Sequence, residues 1–72
     1  MTLTDRQRRT AKGAMIRAIL ATGGKTKLAA VCGIRRQSVD KWIRRGYVSH
    51  LRCKTIEKAT GIPAGTLRPD IF

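Results

Sequence analysis

LAAVCGIRRQSVDKWIRRG, residues 28–46, places small and apolar residues at fixed intervals among basic and amide side chains. A glycine permits a sharp turn between two helices, and an alanine lets their axes approach closely. A set of three apolar residues later in the stretch would hold the second helix against the first. The complete frame is Ala29, Gly33, Ile34, Val39 and Trp42. This spacing predicts a helix-turn-helix unit, in which Trp42 belongs to the core rather than to a base-stacking surface.

The opposite face of the second helix carries long polar side chains that could reach base edges in a major groove. The predicted base readers are Arg36, Gln37, Ser38 and Lys41, among which glutamine suits adenine and lysine suits guanine. The predicted contacts to the DNA backbone are Lys25, Thr26, Lys27, Arg35, Arg44 and Arg45. Asp40 could accept a hydrogen bond from cytosine, but an ion pair with Arg36 or Arg44 is favoured. The alternative for this face is a helical hairpin whose basic surface is simply solvated.

The composition supports a polyanionic partner. The chain has 72 residues, enough for one small domain, with 16 Lys and Arg against 4 Asp and Glu and a net charge of +12. Nucleic acid or an anionic membrane surface would supply the negative charge that neutralises this excess. The apolar runs are too short for a membrane span or a signal peptide, so we expect a soluble cytoplasmic protein with no membrane association.

The few residues suited to catalysis or metal binding are scattered. Cys32 and Cys53 lie in predicted helices and are expected to be buried, reduced thiols. Cys53 and His50 would make only half of a metal site, and a single histidine cannot complete a four-ligand zinc set with two cysteines. No nucleophile and base are brought together by the sequence. We therefore expect no enzyme activity, no metal and no cofactor.

The apolar periodicity is helical throughout, and it predicts an all-α fold of five helices. A capping box at Thr4 opens a first helix that ends at Gly23-Gly24. Residues 1–12 are interpreted as a basic N-terminal arm or helix extension, and residues 13–72 as the helix-turn-helix domain. Arg6, Arg8 and Arg9 of the first segment could contact DNA or remain solvated.

The remaining helices are bounded by caps and glycines. The second should start with Thr26 as its N-cap and end at Gly33, and the third should run over 36–45, with Val39, Trp42 and Ile43 on its inner face. Ser49 is predicted to cap the fourth, before Gly61 ends it. Its expected apolar stripe is Leu51, Thr55, Ile56 and Ala59. The last, short helix runs from Pro63 through Leu67.

Four motifs in order resemble the Cro/YdaS-like family of small prophage-encoded regulators over residues 15–72. They are the Gly23-Gly24 pair, the run from Arg36 to Trp42, the run from Arg52 to Gly61, and Leu67-Arg68-Pro69-Asp70. The resemblance implies a compact five-helix, lambda-repressor-like fold. It also implies sequence-specific binding to double-stranded operator DNA, usually as a homodimer. Some members are antitoxin-like, and the phage activator CII is a more distant relative.

The chain departs from the family pattern at three places. Arg35 stands where relatives often have a Ser or Thr N-cap, which would weaken the start of the third helix by about 1 kcal/mol. Ser49 replaces a proline that commonly opens the fourth helix. The basic stretch before Thr10 extends beyond the short N-terminus typical of the family.

Other functions explain less of the sequence. A membrane-surface peptide would need one long apolar face, and an RNA binder would use more than three aromatic residues. A nonspecific nucleic-acid compactor would not need the frame. An antitoxin that binds a toxin protein stays open as an alternative.

One recognition helix reads only a few base pairs, so we expect a homodimer on DNA. Ile71 and Phe72 could either form the dimer interface or pack back on their own domain.

Overall fold

The computed structural model describes residues 3–72, which form five α-helices and contain no strand. Helix α1 is Asp5–Thr22, α2 is Lys25–Cys32, α3 is Arg36–Arg45, α4 is Cys53–Thr60 and α5 is Ala64–Leu67. A short 3₁₀ turn, His50–Arg52, precedes α4. The prediction of an all-α, five-helix fold is therefore confirmed.

Helix α1 begins at the predicted capping box. The Thr4 hydroxyl accepts from the Gln7 backbone N–H at 3.2 Å, and the Gln7 amide oxygen accepts from the Thr4 N–H at 2.9 Å. Two exposed backbone donors are thereby satisfied. The helix continues through Gly13 and ends where Gly23 adopts φ +98°, a conformation that costs glycine little. Residues 5–12 are thus helical and continuous with the rest of α1.

The core lies where all five helices meet. Helix α3 packs on α2, and α1 lies across α2, α4 and α5. The largest side chains that the packing removes fully from solvent are Met15, Leu28, Ile56, Leu67, Val39, Val48 and Cys53. Burying a side chain of the size of Leu28 stabilises the fold by roughly 1.5–3 kcal/mol. This small core therefore fixes how α3 is presented on the surface.

Two sequence predictions about inner faces are wrong. Ile43 is 39% exposed, because Val39 and Trp42 already fill the contact with α2 and Ile43 lies on the far side of Val39 from Trp42. In α4 the buried residues are Cys53 and Ile56, whereas Leu51 is 73% exposed. Thr55 and Ala59 are also exposed.

The 3₁₀ turn explains the error in α4. The expected stripe assumed one α-helix from Ser49 onward, but residues 50–52 turn with about three residues per turn and only then does the α-helix begin. Ser49 does act as a cap, since its hydroxyl accepts from the Leu51 N–H at 3.4 Å. It caps the 3₁₀ turn, and the change of periodicity leaves Leu51 facing solvent.

No helix within residues 3–72 has the length and apolar character that crossing a membrane requires.

Candidate nucleic-acid interface

Helices α2 and α3 are joined by a tight turn centred on Gly33. Its φ of +68° turns the chain so that the Ile34 N–H reaches the carbonyl of Ala29 at 3.0 Å, and the Gly33 N–H itself donates to the carbonyl of Ala30 at 3.1 Å. These bonds satisfy carbonyls that a helix end leaves free. Ala29 is buried at the helix contact, and Ile34 packs against the core beside it. Val39 and Trp42 are buried from the α3 side.

Helix α3 directs its apolar residues inward and its basic residues outward. The side chains of Val39 and Trp42 are in the core, whereas five long polar residues of the same helix are exposed and Ser38 is half-buried. The exposed residues are Arg36, Gln37, Lys41, Arg44 and Arg45. Arg35 precedes the helix as its N-cap and makes no side-chain cap bond. A helix with this distribution offers donors to a polyanion along one face.

Asp40 is held by a lysine from the neighbouring helix. Lys25 Nζ lies 3.0 Å from Asp40 Oδ1, and Arg36 Nε lies 4.0 Å from Oδ2. The sequence predicted an ion pair along α3 with Arg36 or Arg44, so the prediction is right for a weak contact and misses the main one. The hydrogen bond from Lys25 lowers the pKa of Asp40, and the charges of Lys25, Arg36 and Arg44 lower it further. The carboxylate thus fastens the start of α2 to α3.

The start of α2 differs from the prediction. Gly24, not Thr26, is the N-cap, and Thr26 is already the second residue of the helix. The extended backbone of Gly24, at φ +133°, lets the helix begin earlier than a threonine cap would. Leu28 is the first residue whose N–H bonds back to a carbonyl, that of Gly24 at 3.0 Å. The backbone N–H groups before it, at residues 25–27, therefore face outward in a manner that favours an anion.

An open cleft of about 280 Å³ lies between α3 and the 3₁₀ turn. It is lined by Ile34, Ser38, Lys41, Trp42, Arg45, Ser49, Leu51 and Arg52. Three cations and two hydroxyls converge here beside the apolar side chain of Leu51. Sequence reasoning did not assign Ser49 or Arg52 to the interface. The sequence indicates Ser49 only as a helix cap, and a cap does not show which neighbouring helix it will lie beside.

The basic residues of the first segment lie on the outer face of α1. Arg6, Arg8 and Arg9 are exposed in its first turns. Because these residues are helical, they do not form the extended arm that minor-groove insertion would require. Their positive charge still adds to the field around the domain.

The cysteines are buried and reduced, as the sequence predicted. Burial raises the pKa of Cys53 to about 11. Burial also raises the pKa of Cys32, and the charge of Arg52 partly offsets this. Within residues 3–72, no three His, Cys, Asp or Glu side chains come together so that they could hold a metal ion.

Comparison with known proteins gives one family and one solved structure. Residues 15–72 match the model of the family described as bacterial toxin YdaS. The structure of the Cro protein assigned to the prophage element Xfaso 1 in Xylella fastidiosa strain Ann-1 is similar to this chain. The identity is 38% and the TM-score 0.78, over 82% of this chain and 94% of the other. No curated protein matches. The match over most of the chain shows that this all-α, helix-turn-helix protein belongs to the YdaS family.

Proposed function

We propose that this protein is a Cro-like transcriptional regulator that reads double-stranded operator DNA with α3 in the major groove. Gln37 and Lys41 are the main base readers, and Arg36 and Ser38 contact either bases or phosphates. A regulator of this kind is not an enzyme, needs no cofactor, and acts where genomic DNA lies, in the bacterial cytoplasm. The observation that supports this function best is the division of α3 into a buried apolar face and an exposed basic face.

The surroundings of α3 supply the proposed backbone contacts. The residues assigned to phosphate binding are Lys25, Thr26, Lys27, Arg35, Arg44 and Arg45. All six are exposed. Lys25 can contribute while it is paired with Asp40, because an ammonium group has three donors and this pair uses one. The net charge of +12 would speed the encounter with DNA.

Two copies on an inverted repeat would double the site that one α3 reads, which is how helix-turn-helix domains usually reach useful affinity. We therefore propose a homodimer on DNA. The similarity to a Cro protein over most of both chains supports the regulator class.

The test is selection from randomised duplex DNA followed by sequencing, performed with the wild type and with Gln37→Ala and Lys41→Ala. Lys58→Ala is the matched control, because it removes one positive charge from an exposed position on α4. We expect the wild type and the control to recover one inverted repeat. Each α3 variant should lose preference at particular base pairs, at a cost of about 1–3 kcal/mol per lost contact.

Salt dependence separates this function from nonspecific binding. The logarithm of the affinity should fall with the logarithm of salt concentration by about 0.9 for each phosphate contacted, while the preference for the motif persists. Recovery of no motif, together with binding that simply disappears as salt rises, would contradict the proposal.

The description of the family as a toxin supports a second candidate, a protein that acts on or binds another protein and also controls its own promoter. This includes the antitoxin-like role. A neighbouring gene whose product co-purifies with the chain would favour it. If expression slowed bacterial growth equally with and without Gln37→Ala and Lys41→Ala, the effect would not depend on base readout. An activator of the CII kind would instead bind its operator beside the polymerase site.

A further inference from the structure

The turn that follows α5 is tied to the loop that follows α3. Arg68 is a buried arginine whose guanidinium donates to Asp70 through Nε at 3.0 Å and through Nη2 at 2.8 Å. Its Nη1 donates to the backbone carbonyl of Val48 at 3.0 Å. With all three nitrogens engaged, the plane of this guanidinium is fixed. The C-terminal turn therefore holds the backbone just beyond α3.

Tyr47 lies between this buried arginine and the end of α3. The Cζ atom of Arg68 is 4.6 Å from the centre of the Tyr47 ring, and the Cζ atom of Arg45 is also 4.6 Å from it. Both distances are within the range of cation–π attraction. Asp70 neutralises Arg68, which reduces the repulsion that a second cation on the same ring would otherwise meet. The ring can thus attract the charge of Arg45.

Arg45 is attached to Tyr47 by a second contact. Its Nε donates to the Tyr47 carbonyl at 3.1 Å, so the ring and the backbone of one residue both hold it. Arg45 is the last residue of α3, and its side chain is exposed at the cleft beside Lys41. The hydrogen bond uses only Nε, which leaves the two terminal NH₂ groups as donors. A flexible arginine loses side-chain entropy when it is ordered, and here the fold orders Arg45 before DNA binds.

We propose that Tyr47 is a positioning residue for Arg45, and that the Arg68–Asp70 pair sets Tyr47 in place. Arg45 then meets a DNA phosphate at the C-terminal end of α3 already ordered, which strengthens binding by lowering the entropy lost on association. The inference rests on the proposed function, since it assigns a phosphate contact to this protein. It adds to that function a role for three residues outside α3.

The first test measures affinity for the selected duplex with Tyr47→Leu, Tyr47→Phe, Arg45→Ala and the double variant Arg45→Ala/Tyr47→Leu. Tyr47→Leu should weaken binding about twofold to fivefold, the value of an exposed cation–π contact. Tyr47→Phe keeps the ring and should bind as the wild type does. The double variant should be no weaker than Arg45→Ala alone, because both changes remove one contact. Losses that multiply in the double variant would overturn the proposal.

Lys54→Ala is the matched control for Arg45→Ala. It removes a cation from another ring, since Lys54 Nζ lies 5.4 Å from the centre of the Phe72 ring, and we expect this exposed change on α4 to leave DNA affinity unchanged. Loss of affinity in this control equal to that in Arg45→Ala would point to a general effect of removing a positive charge, and would overturn the specific role of Arg45.

A second measurement needs no DNA. In the nuclear magnetic resonance spectrum of the free protein, the Nε–Hε signal of Arg45 should be shifted by the Tyr47 ring and protected from solvent exchange. Tyr47→Leu should abolish the shift, and Tyr47→Phe should keep it. An Arg45 signal that Tyr47→Leu leaves unchanged would overturn the positioning.

The two proposals fail differently. If the wild type selects a duplex but Arg45→Ala and Tyr47→Leu bind it equally well, only the positioning proposal fails. If the wild type selects no duplex while the Arg45 signal shows the ring effect, the DNA-binding function fails, and with it the phosphate contact assigned to Arg45.

Discussion

Replacing Asp70 with alanine is expected to destabilise the whole domain. The side chains of Arg68 and Asp70 are only 10% and 4% exposed, and their charged atoms approach to 2.8 Å. Without the carboxylate, the buried guanidinium keeps only the Val48 carbonyl, at 3.0 Å, as a hydrogen-bond acceptor. Removing one partner from a buried ion pair costs about 3 kcal/mol or more, because the other charge is left without compensation.

This loss is large for a domain of 72 residues, whose total stability is about 4–11 kcal/mol. At about 4–8 °C per kcal/mol, a loss of about 3 kcal/mol lowers Tm by about 12–24 °C. Thermal unfolding followed by far-ultraviolet circular dichroism at neutral pH measures the change. Asp40→Ala is the matched control. It removes the same charge from an exposed pair, in which Lys25 and Asp40 are 46% and 34% exposed, so its Tm should fall much less.

Acid provides the refuting experiment. The hydrogen bonds from Arg68 lower the pKa of Asp70 below its ordinary value of 3.8. A carboxyl whose pKa is lower in the folded state stabilises the fold fully above the unfolded value, and this contribution is lost as the pH falls through the folded value. The difference in Tm between the wild type and Asp70→Ala should therefore narrow below pH 3.8. Equal Tm values at neutral pH, or a difference that acid leaves unchanged, would refute the reasoning.

Two further predictions concern the cysteines and the C-terminal residues. A thiol reagent at pH near 8 should label neither cysteine rapidly in the folded protein, since both are buried and Cys53 has a pKa of about 11. Both cysteines should react after unfolding. Rapid labelling of Cys53 before unfolding would contradict its burial. Ile71 and Phe72 are exposed apolar residues, so their deletion should reduce a dimer to a monomer in light scattering if they form the interface, whereas an unchanged mass would exclude them.

The turn of the helix-turn-helix unit and the inward position of Val39 and Trp42 could be predicted from the sequence, because the contacts that form them are local, although the sequence wrongly predicts Ile43 on that inner face as well. Gly33 needs only its own backbone freedom, and Val39 and Trp42 share a face through helical spacing alone. The same reasoning failed for Leu51, because the spacing of apolar residues does not distinguish a 3₁₀ turn from the first turn of an α-helix. The assignment of individual residues to bases and phosphates stays a prediction.

Contacts between elements could not be predicted in this way. Lys25 and Asp40 are 15 residues apart, and Arg68 and Val48 are 20 apart, so no helical spacing relates them. Both contacts nevertheless join α3 to the rest of the fold, one from the start of α2 and the other beyond the end of α3. The first contact acts at the middle of α3, on Asp40, and the second acts on the loop that follows the helix, at Val48. If the N–H groups at the start of α2 bind a phosphate, the buried packing of α2 on α3, with the exposed Lys25–Asp40 pair beside it, relates that position to α3, and the proposed base readers meet the groove in one register.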